Sequence, residues 1–307
     1  MTSQLSRREL ALAAACAPLL AGCRSMAQDS DSSPLFRISL AQWSLHRTIR
    51  AGELTALDFP QHARDVYGIE AVEYVNQFFA DRAEDPAWIN ALRQRAEDAG
   101  VRSVLIMVDG EGSLAASDSA ERARAIRNHV KWLGAAANLG CHAMRVNAAG
   151  DGDPAEMQRR AADSLVQLAD HAVGYQLNVI VENHGGLSSN GAWLSGVMRI
   201  ADHPRVGTLP DFGNFRIQGD EWYDRYLGSQ EMMPFAKAVS AKSHDFDADG
   251  NEVHTDYRRM MRIVLDAGYR GFVGVEYEGD SLSEHDGIVA TQRLLERVRE
   301  ELAPEFA

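Results

Sequence analysis

The chain has 307 residues, 45% hydrophobic and 24% charged, with 25 Gly and 9 Pro. That composition is globular and excludes a collagen-like or disordered chain. A formal net charge of −13 argues against a nucleic-acid partner, which needs a basic face.

The first segment reads as an address. Ser6-Arg7-Arg8-Glu9-Leu10 presents a twin arginine, and an apolar run follows from Leu10 to Ala21. The run is shorter than the roughly 20 residues that span a bilayer. A charged start before such a run predicts an export signal, here of the twin-arginine (Tat) type. The run ends in Leu20-Ala21-Gly22-Cys23, which resembles the bacterial lipobox. Residues 1–22 are therefore expected to be removed and Cys23 to carry lipid, leaving a periplasmic protein that meets the membrane only through that anchor. The alternative is a plain cleaved signal with an incidental cysteine. Removal takes away Arg7, Arg8 and Glu9, so the charge becomes −13 − 1 = −14. Residues 23–35, polar from Ala27 to Pro34, predict a flexible tether. Cys16 leaves with the signal, so Cys141 stands alone without a disulfide partner and reads as a buried, inert thiol.

From residue 36 to 307 short apolar runs alternate with amphipathic stretches. The predicted strands are Phe36–Leu40, Ala71–Val75, Ser103–Val108, Ala143–Asn147, Val179–Glu182, Val206–Pro210, Val239–Ser243 and Phe272–Glu276. The predicted helices lie near Phe59–Tyr67, Ala87–Asp98, Ser119–Leu139, Ala155–Tyr175, Ala192–Ala201, Glu221–Phe235, Asp256–Ala267 and Glu284–Leu302. Gly68, Gly100, Gly140 and Gly268 mark helix ends, and Pro86 and Pro154 mark first turns. Eight such units in about 270 residues predict one α/β domain, a closed (β/α)8 TIM barrel. An open doubly wound sheet is the alternative, but no G-x-G-x-x-G follows the first strand.

In such a barrel, chemistry belongs at the C-terminal ends of the strands. Side chains two apart share a strand face, which pairs Arg145 with Asn147, Glu182 with His184, Lys242 with His244, and Glu276 with Glu278. Strands five to eight each end in a carboxylate or an imidazole. A buried cluster of Glu182, Asp211, His244 and Glu276 carries three negative charges, which is costly without a counter-ion. One divalent metal ion resolves this. Three carboxylates and one imidazole suit Mn²⁺, Mg²⁺, Co²⁺ or Zn²⁺.

Four segments carry a family resemblance: Val181-Glu182-Asn183, Leu209-Pro210-Asp211-Phe212-Gly213-Asn214, Lys242-Ser243-His244-Asp245 and Val275-Glu276-Tyr277-Glu278-Gly279. The chain resembles the xylose-isomerase-like barrels, also called sugar phosphate isomerases/epimerases, from about Phe36 to Leu302. The resemblance implies that Glu182, Asp211, His244 and Glu276 bind one metal ion. It also implies that Glu182 and Glu276 face each other across a keto-sugar, one removing a proton next to the carbonyl and the other returning it through an enediolate. Lys242 and Arg145 are expected to stabilise negative charge, and His184 to be a second acid/base or a hydroxyl ligand. Glu73, Asn147 and Asn214 are expected substrate contacts. Trp43 and Phe215 pack either on a sugar face or at the barrel mouth. Three positions depart from the epimerase pattern: Asn214, Ser188 and Gly250 stand where a histidine, a glutamate and an arginine are usual. These departures weigh against a free ketohexose as substrate.

The expected reaction class is isomerisation or epimerisation of a keto-sugar. The alternative on the same groups is β-elimination from a 3-keto-glycoside, releasing the C1 substituent. A non-catalytic sugar-binding lipoprotein is the alternative of another class. An endonuclease-IV-like phosphodiesterase needs more histidines and a basic groove than this chain offers.

Overall fold

The structure is a computed structural model that describes residues 34–306. The expected signal over residues 1–22, the expected lipidation at Cys23 and the tether as far as Ser33 lie outside the described residues. Eight parallel strands follow: β1 (Arg37–Ala41), β2 (Ala71–Val75), β3 (Arg102–Met107), β4 (Ala143–Val146), β5 (Asn178–Glu182), β6 (Val206–Leu209), β7 (Val239–Ser243) and β8 (Phe272–Tyr277). Pairing runs in the order β6-β5-β4-β3-β2-β1-β8-β7. The remaining seam is stitched by backbone bonds: Lys237 N–H donates to the Thr208 carbonyl, Ser240 N–H to Pro210 (both 3.0 Å), and Phe212 N–H to Ser240 at 3.1 Å. The sheet thus curls into the predicted (β/α)8 barrel.

Each strand is followed by a helix: α1 (Phe59–Tyr67), α2 (Pro86–Asp98), α3 (Ser119–Leu139), α4 (Pro154–Val173), α5 (Gly191–Ala201), α6 (Arg225–Met232), α7 (Tyr257–Asp266) and α8 (Glu284–Phe306). Local chemistry starts them. The side chains of Asp85, Asp118, Asp153, Asn190, Asp224 and Asp256 each accept a first-turn N–H of α2 to α7. Gly68 and Gly140 close α1 and α3 at φ 66° and 78°, a left-handed conformation that costs glycine little.

The predicted single helix over Glu221–Phe235 is corrected. Glu221–Trp222 instead pairs with Arg216–Gln218 in a small antiparallel hairpin. The helix waits for Asp224, whose carboxylate accepts from Tyr226 and Leu227 N–H, and Met233–Phe235 tightens into a 3-10 turn. Short helical turns at Gln42–Leu45, His46–Arg50 and Asn76–Arg82, which follow β1 and β2, were not predicted.

Two apolar layers form. One lies between sheet and helices, around Phe59, Leu92, Trp132 and Leu165. The other fills the barrel interior, with Ala41, Ala71, Val75, Leu105, Met107, Ile180 and Leu209. Alternation then carries the interior face from Ile180 to Glu182 and from Ala238 through Ser240 to Lys242. The barrel is therefore apolar toward its base and charged toward its mouth. Cys141 is buried and free, and burial pushes its thiol up, as expected of an inert cysteine. No helix among the described residues is long and apolar enough to cross a membrane.

Candidate active site

Three carboxylates converge at the C-terminal end of the barrel. Glu182 ends β5, Asp211 follows β6 by two residues, and Glu276 lies in β8. One oxygen from each lies within 4.8 Å of the others, and all three side chains are buried. Their partners fix their directions. Asn214 Nδ2 donates to Glu182 Oε1 at 3.0 Å. Asp211 Oδ1 accepts Gly213 and Asn214 N–H, each at 2.8 Å. Ser240 Oγ sits 2.8 Å from both Asp211 Oδ2 and Glu276 Oε2. Burial pushes Asp211 well above the usual carboxylate range, while Lys242 pulls the other way.

Two buried cations face the triad. Lys242 Nζ lies 3.0 Å from Glu276 Oε1, 2.9 Å from Glu278 Oε2 and 3.9 Å from Asp211 Oδ2. Burial alone lowers its affinity for a proton, but Glu276, Asp211 and Glu278 outweigh that and hold it charged. Arg145 Nη2 lies 2.5 Å from Glu182 Oε2, and Nη1 donates to Asp109 Oδ1 at 2.6 Å. Glu182 Oε2 accepts no well-aligned hydrogen bond despite that close charge contact. Burial works against the ionised forms of Asp109 and Glu278. Arg145 nevertheless holds Asp109 at about 2, and Lys242, helped by the Trp43 indole, holds Glu278 at about 2.

The loops that carry these groups are clamped by asparagines. Asn76 donates to the Asp109 carbonyl at 2.9 Å and accepts its N–H at 3.0 Å. Asn183 donates to the Asp211 and Asn214 carbonyls at 3.0 Å and accepts the Asp211 N–H at 2.7 Å. A cavity of about 250 Å³ opens above the triad, lined by Trp43, Val75, Met107, Asp109, Arg145, His184, Glu276 and Glu278, with Gln77. Larger grooves occur elsewhere, such as one of about 540 Å³ around Leu54 and Asp98, but this cavity is the one that Glu276 of the carboxylate group lines.

The expected site residues separate on this geometry. Glu182, Asp211, Glu276, Lys242 and Arg145 come together. His184 lines the open side of the cavity and is exposed. His244, expected as a fourth ligand, stands outside the carboxylate group. Its N–H is 3.3 Å from Glu252 Oε1, and its ring packs edge-on to His254 at 6.2 Å. Lys242 rather than the imidazole fills the space beside Glu276, and burial followed by Lys242 lowers the His244 pKa. Asn147 donates to Asp109 Oδ1 at 2.6 Å and Asn214 is held by Glu182, so both amides position protein groups.

Glu73 lies deeper than a substrate contact. Ser39 Oγ donates to its Oε1 at 2.6 Å, and a Cβ on Gly274 would lie 2.8 Å from both its oxygens. Burial raises it to about 8, with help from Glu276 and Glu182. Phe215 is fully buried, so it packs the fold and not a ligand face. Trp43 lines the cavity and donates to Glu278 Oε1 at 2.6 Å. Glu182 and Glu276 belong to one cluster, their nearest ligand oxygens within 4.8 Å. Sequence reasoning missed Asp109 and Ser240 as site groups, and it placed Glu278 on the face of Glu276 without giving it a role. Asp109 is the first polar residue after the apolar run of β3, and Ser240 and Glu278 lie two residues from Lys242 and Glu276 on the same faces.

Residues 61–298 of the chain match the family model of the xylose isomerase-like TIM barrels. The C-glycoside deglycosidase alpha subunit of Arthrobacter globiformis is 35% identical over 68 residues, which are 22% of this chain and 17% of that protein. The match thus spans well under two thirds of the relative's length. Among solved structures, a xylose isomerase-like TIM barrel protein from Mycobacterium smegmatis in complex with magnesium has a TM-score of 0.66 at 16% identity, over 87% of this chain and 98% of that one. L-ribulose 3-epimerase has a TM-score of 0.67 at 14% identity, over 88% of this chain and 96% of that one. Identities this low show the shared fold.

Proposed function

The chain belongs to the xylose isomerase-like TIM barrel family, and from that premise we propose that it is a metal-dependent enzyme acting on a keto-sugar by removing a proton next to the carbonyl. The observation that carries this reading is the buried triad of Glu182, Asp211 and Glu276 beneath a polar cavity. The donor set fits a divalent cation such as Mn²⁺, Mg²⁺, Co²⁺ or Zn²⁺. Glu182, Asp211 and Glu276 are buried together, and the one close cation at Glu182 Oε2 is the Arg145 guanidinium, 2.5 Å away. A bound divalent ion supplies Lewis-acid polarisation of a carbonyl and stabilises charge when the neighbouring proton leaves. His244 is the nearby imidazole donor in this proposal.

The chain's own groups do the rest. Glu276 lines the cavity and takes the proton; Glu182 is the second carboxylate of the exchange. Lys242 and Arg145 stabilise the negative charge that develops. Asp109 and Asn147 hold Arg145 in place, and His184 meets a substrate hydroxyl or exchanges its proton at the open side. Isomerisation or epimerisation is the first reading. The short match to a C-glycoside deglycosidase subunit favours a second, β-elimination from a 3-keto-glycoside, in which the same proton leaves and the C1 substituent is expelled. Incubating the metal-loaded protein with a 3-keto-glucoside in D₂O separates them. Deuterium uptake without aglycone release supports the first, and aglycone release the second. Sugar binding with neither outcome overturns both in favour of a binding protein. Export to the periplasm and a lipid anchor at Cys23 remain part of the proposal, resting on Arg7-Arg8 and Leu20–Cys23.

A further inference from the structure

Each glutamate of the triad faces a buried cation, and each cation is shared with a second carboxylate on the cavity wall. Lys242 Nζ lies 3.0 Å from Glu276 Oε1 and donates to Glu278 Oε2 at 2.9 Å. Arg145 Nη2 lies 2.5 Å from Glu182 Oε2, while Nη1 donates to Asp109 Oδ1 at 2.6 Å. In both cases the aligned hydrogen bond goes to the outer carboxylate, and the triad receives a charge contact.

The two cations differ in how they are held. The Arg145 guanidinium is planar and forked, so it meets Glu182 and Asp109 with different nitrogens. Asn147 Nδ2 donates to the same Asp109 oxygen at 2.6 Å, and the Asn76 amide clamps the Asp109 backbone. Arg145 is therefore fixed. Lys242 has one nitrogen at the end of a flexible stem, and it serves Glu276, Glu278 and, at 3.9 Å, Asp211. Glu278 is braced from its other side, where the Trp43 indole N–H donates to Oε1 at 2.6 Å. The Glu278 side chain is 33% exposed against 3% for Glu276, so it stands nearer the open cavity.

A divalent ion on Glu276 and Asp211 draws on the same two carboxylates as the Lys242 ammonium. Like charges that close, shielded from water, repel strongly. Glu278 gives the ammonium somewhere to stay: that hydrogen bond is already made, and only the contact with Glu276 is given up. Resting on the metal reading above, we propose that Lys242 and the metal ion compete for Glu276, and that Glu278 is the positioning residue that draws the ammonium off the triad. Glu278 thus raises metal affinity while standing outside the carboxylate group. It also keeps the Lys242 charge against the cavity, where negative charge developing on a substrate meets it.

The test is a double-mutant cycle read as Mn²⁺ affinity, by calorimetric titration of the chelator-treated full chain. Glu278→Gln keeps the shape and removes the charge. It is expected to weaken Mn²⁺ binding about tenfold, because Lys242 then closes on Glu276. Lys242→Met is expected to tighten binding by about tenfold or more. In the Lys242→Met background, Glu278→Gln should change affinity by less than about threefold, since no ammonium is left to hold. A structural role for Glu278, or a direct pull of its charge on the ion, weakens binding equally in both backgrounds, and that result overturns the proposal. Weaker binding in Lys242→Met does so too. So does wild-type affinity in Glu278→Gln, a result that stands even where Lys242→Met fails to fold. Mn²⁺ uptake by none of these proteins overturns the metal reading together with this inference, whereas uptake by wild type with an additive cycle overturns this inference alone.

Discussion

Ser240 has one proton and two buried carboxylates at 2.8 Å, so it cannot donate to both at once. That frustration marks the residue-scale demand for positive charge at the triad. Glu276→Gln keeps the shape and removes the base. It is expected to slow solvent-deuterium exchange into a keto-sugar by about 10²- to 10⁴-fold, read by mass spectrometry, and Glu182→Gln to do likewise. Unchanged exchange in either variant contradicts its assigned role. Glu73 gives a pH prediction. Its pKa rises from 4.5 to about 8 in the folded chain, so its contribution to stability is fully present below about 4.5 and is lost as pH climbs through 8. The loss is on the order of 4 kcal/mol, at about 1.4 kcal/mol for each tenfold change in proton affinity. Chelator-treated wild type should therefore lose more melting temperature between pH 5 and pH 8 than Glu73→Gln, and parallel curves would sink the assignment. The inward direction of Glu73, Glu182, Lys242 and Glu276 was legible from strand alternation. The depth of Glu73 was not, because it depends on Gly274 of a distant strand leaving room.

At the scale of elements, the site depends on close approach between the ends of β7 and β8. A Cβ on Gly279 would collide with the His244 carbonyl oxygen, so only glycine lets the two loops meet. Gly279→Ala is expected to destabilise the fold by about 1–3 kcal/mol in denaturant unfolding and to disturb the Lys242–Glu278 pair. A variant as stable as wild type would show that the loops tolerate separation. Strands were legible to within a residue or two because each is an apolar run closed by glycine, proline or a polar end. The stretch Glu221–Phe235 was misread because its helical periodicity conceals a cap at Asp224 and a hairpin before it. Three of the four expected ligands come together, and the contact of Lys242 with Glu276 is a fact that local pattern does not carry. Lys242 and His244 share a strand face, and the longer flexible amine reaches the carboxylates.

At the scale of the whole molecule, the acidic balance has two parts. Among the described residues many carboxylates lie at the surface, while three meet at one buried point and are opposed by Lys242 and Arg145. A cation that binds only the folded chain adds about 2.7 kcal/mol at 100 times its dissociation constant. For a barrel of this size that corresponds to a rise in melting temperature of roughly 5–10 °C, reversed by chelator, in a scanning fluorimetry experiment. The most direct test of the account is a calorimetric titration of Mn²⁺ or Zn²⁺ into chelator-treated protein. The triad predicts one bound ion per chain, with affinity weakened at least about 100-fold by Asp211→Asn and less by His244→Ala. No binding, or binding untouched by Asp211→Asn, would contradict the assignment of Glu182, Asp211 and Glu276 as a metal centre.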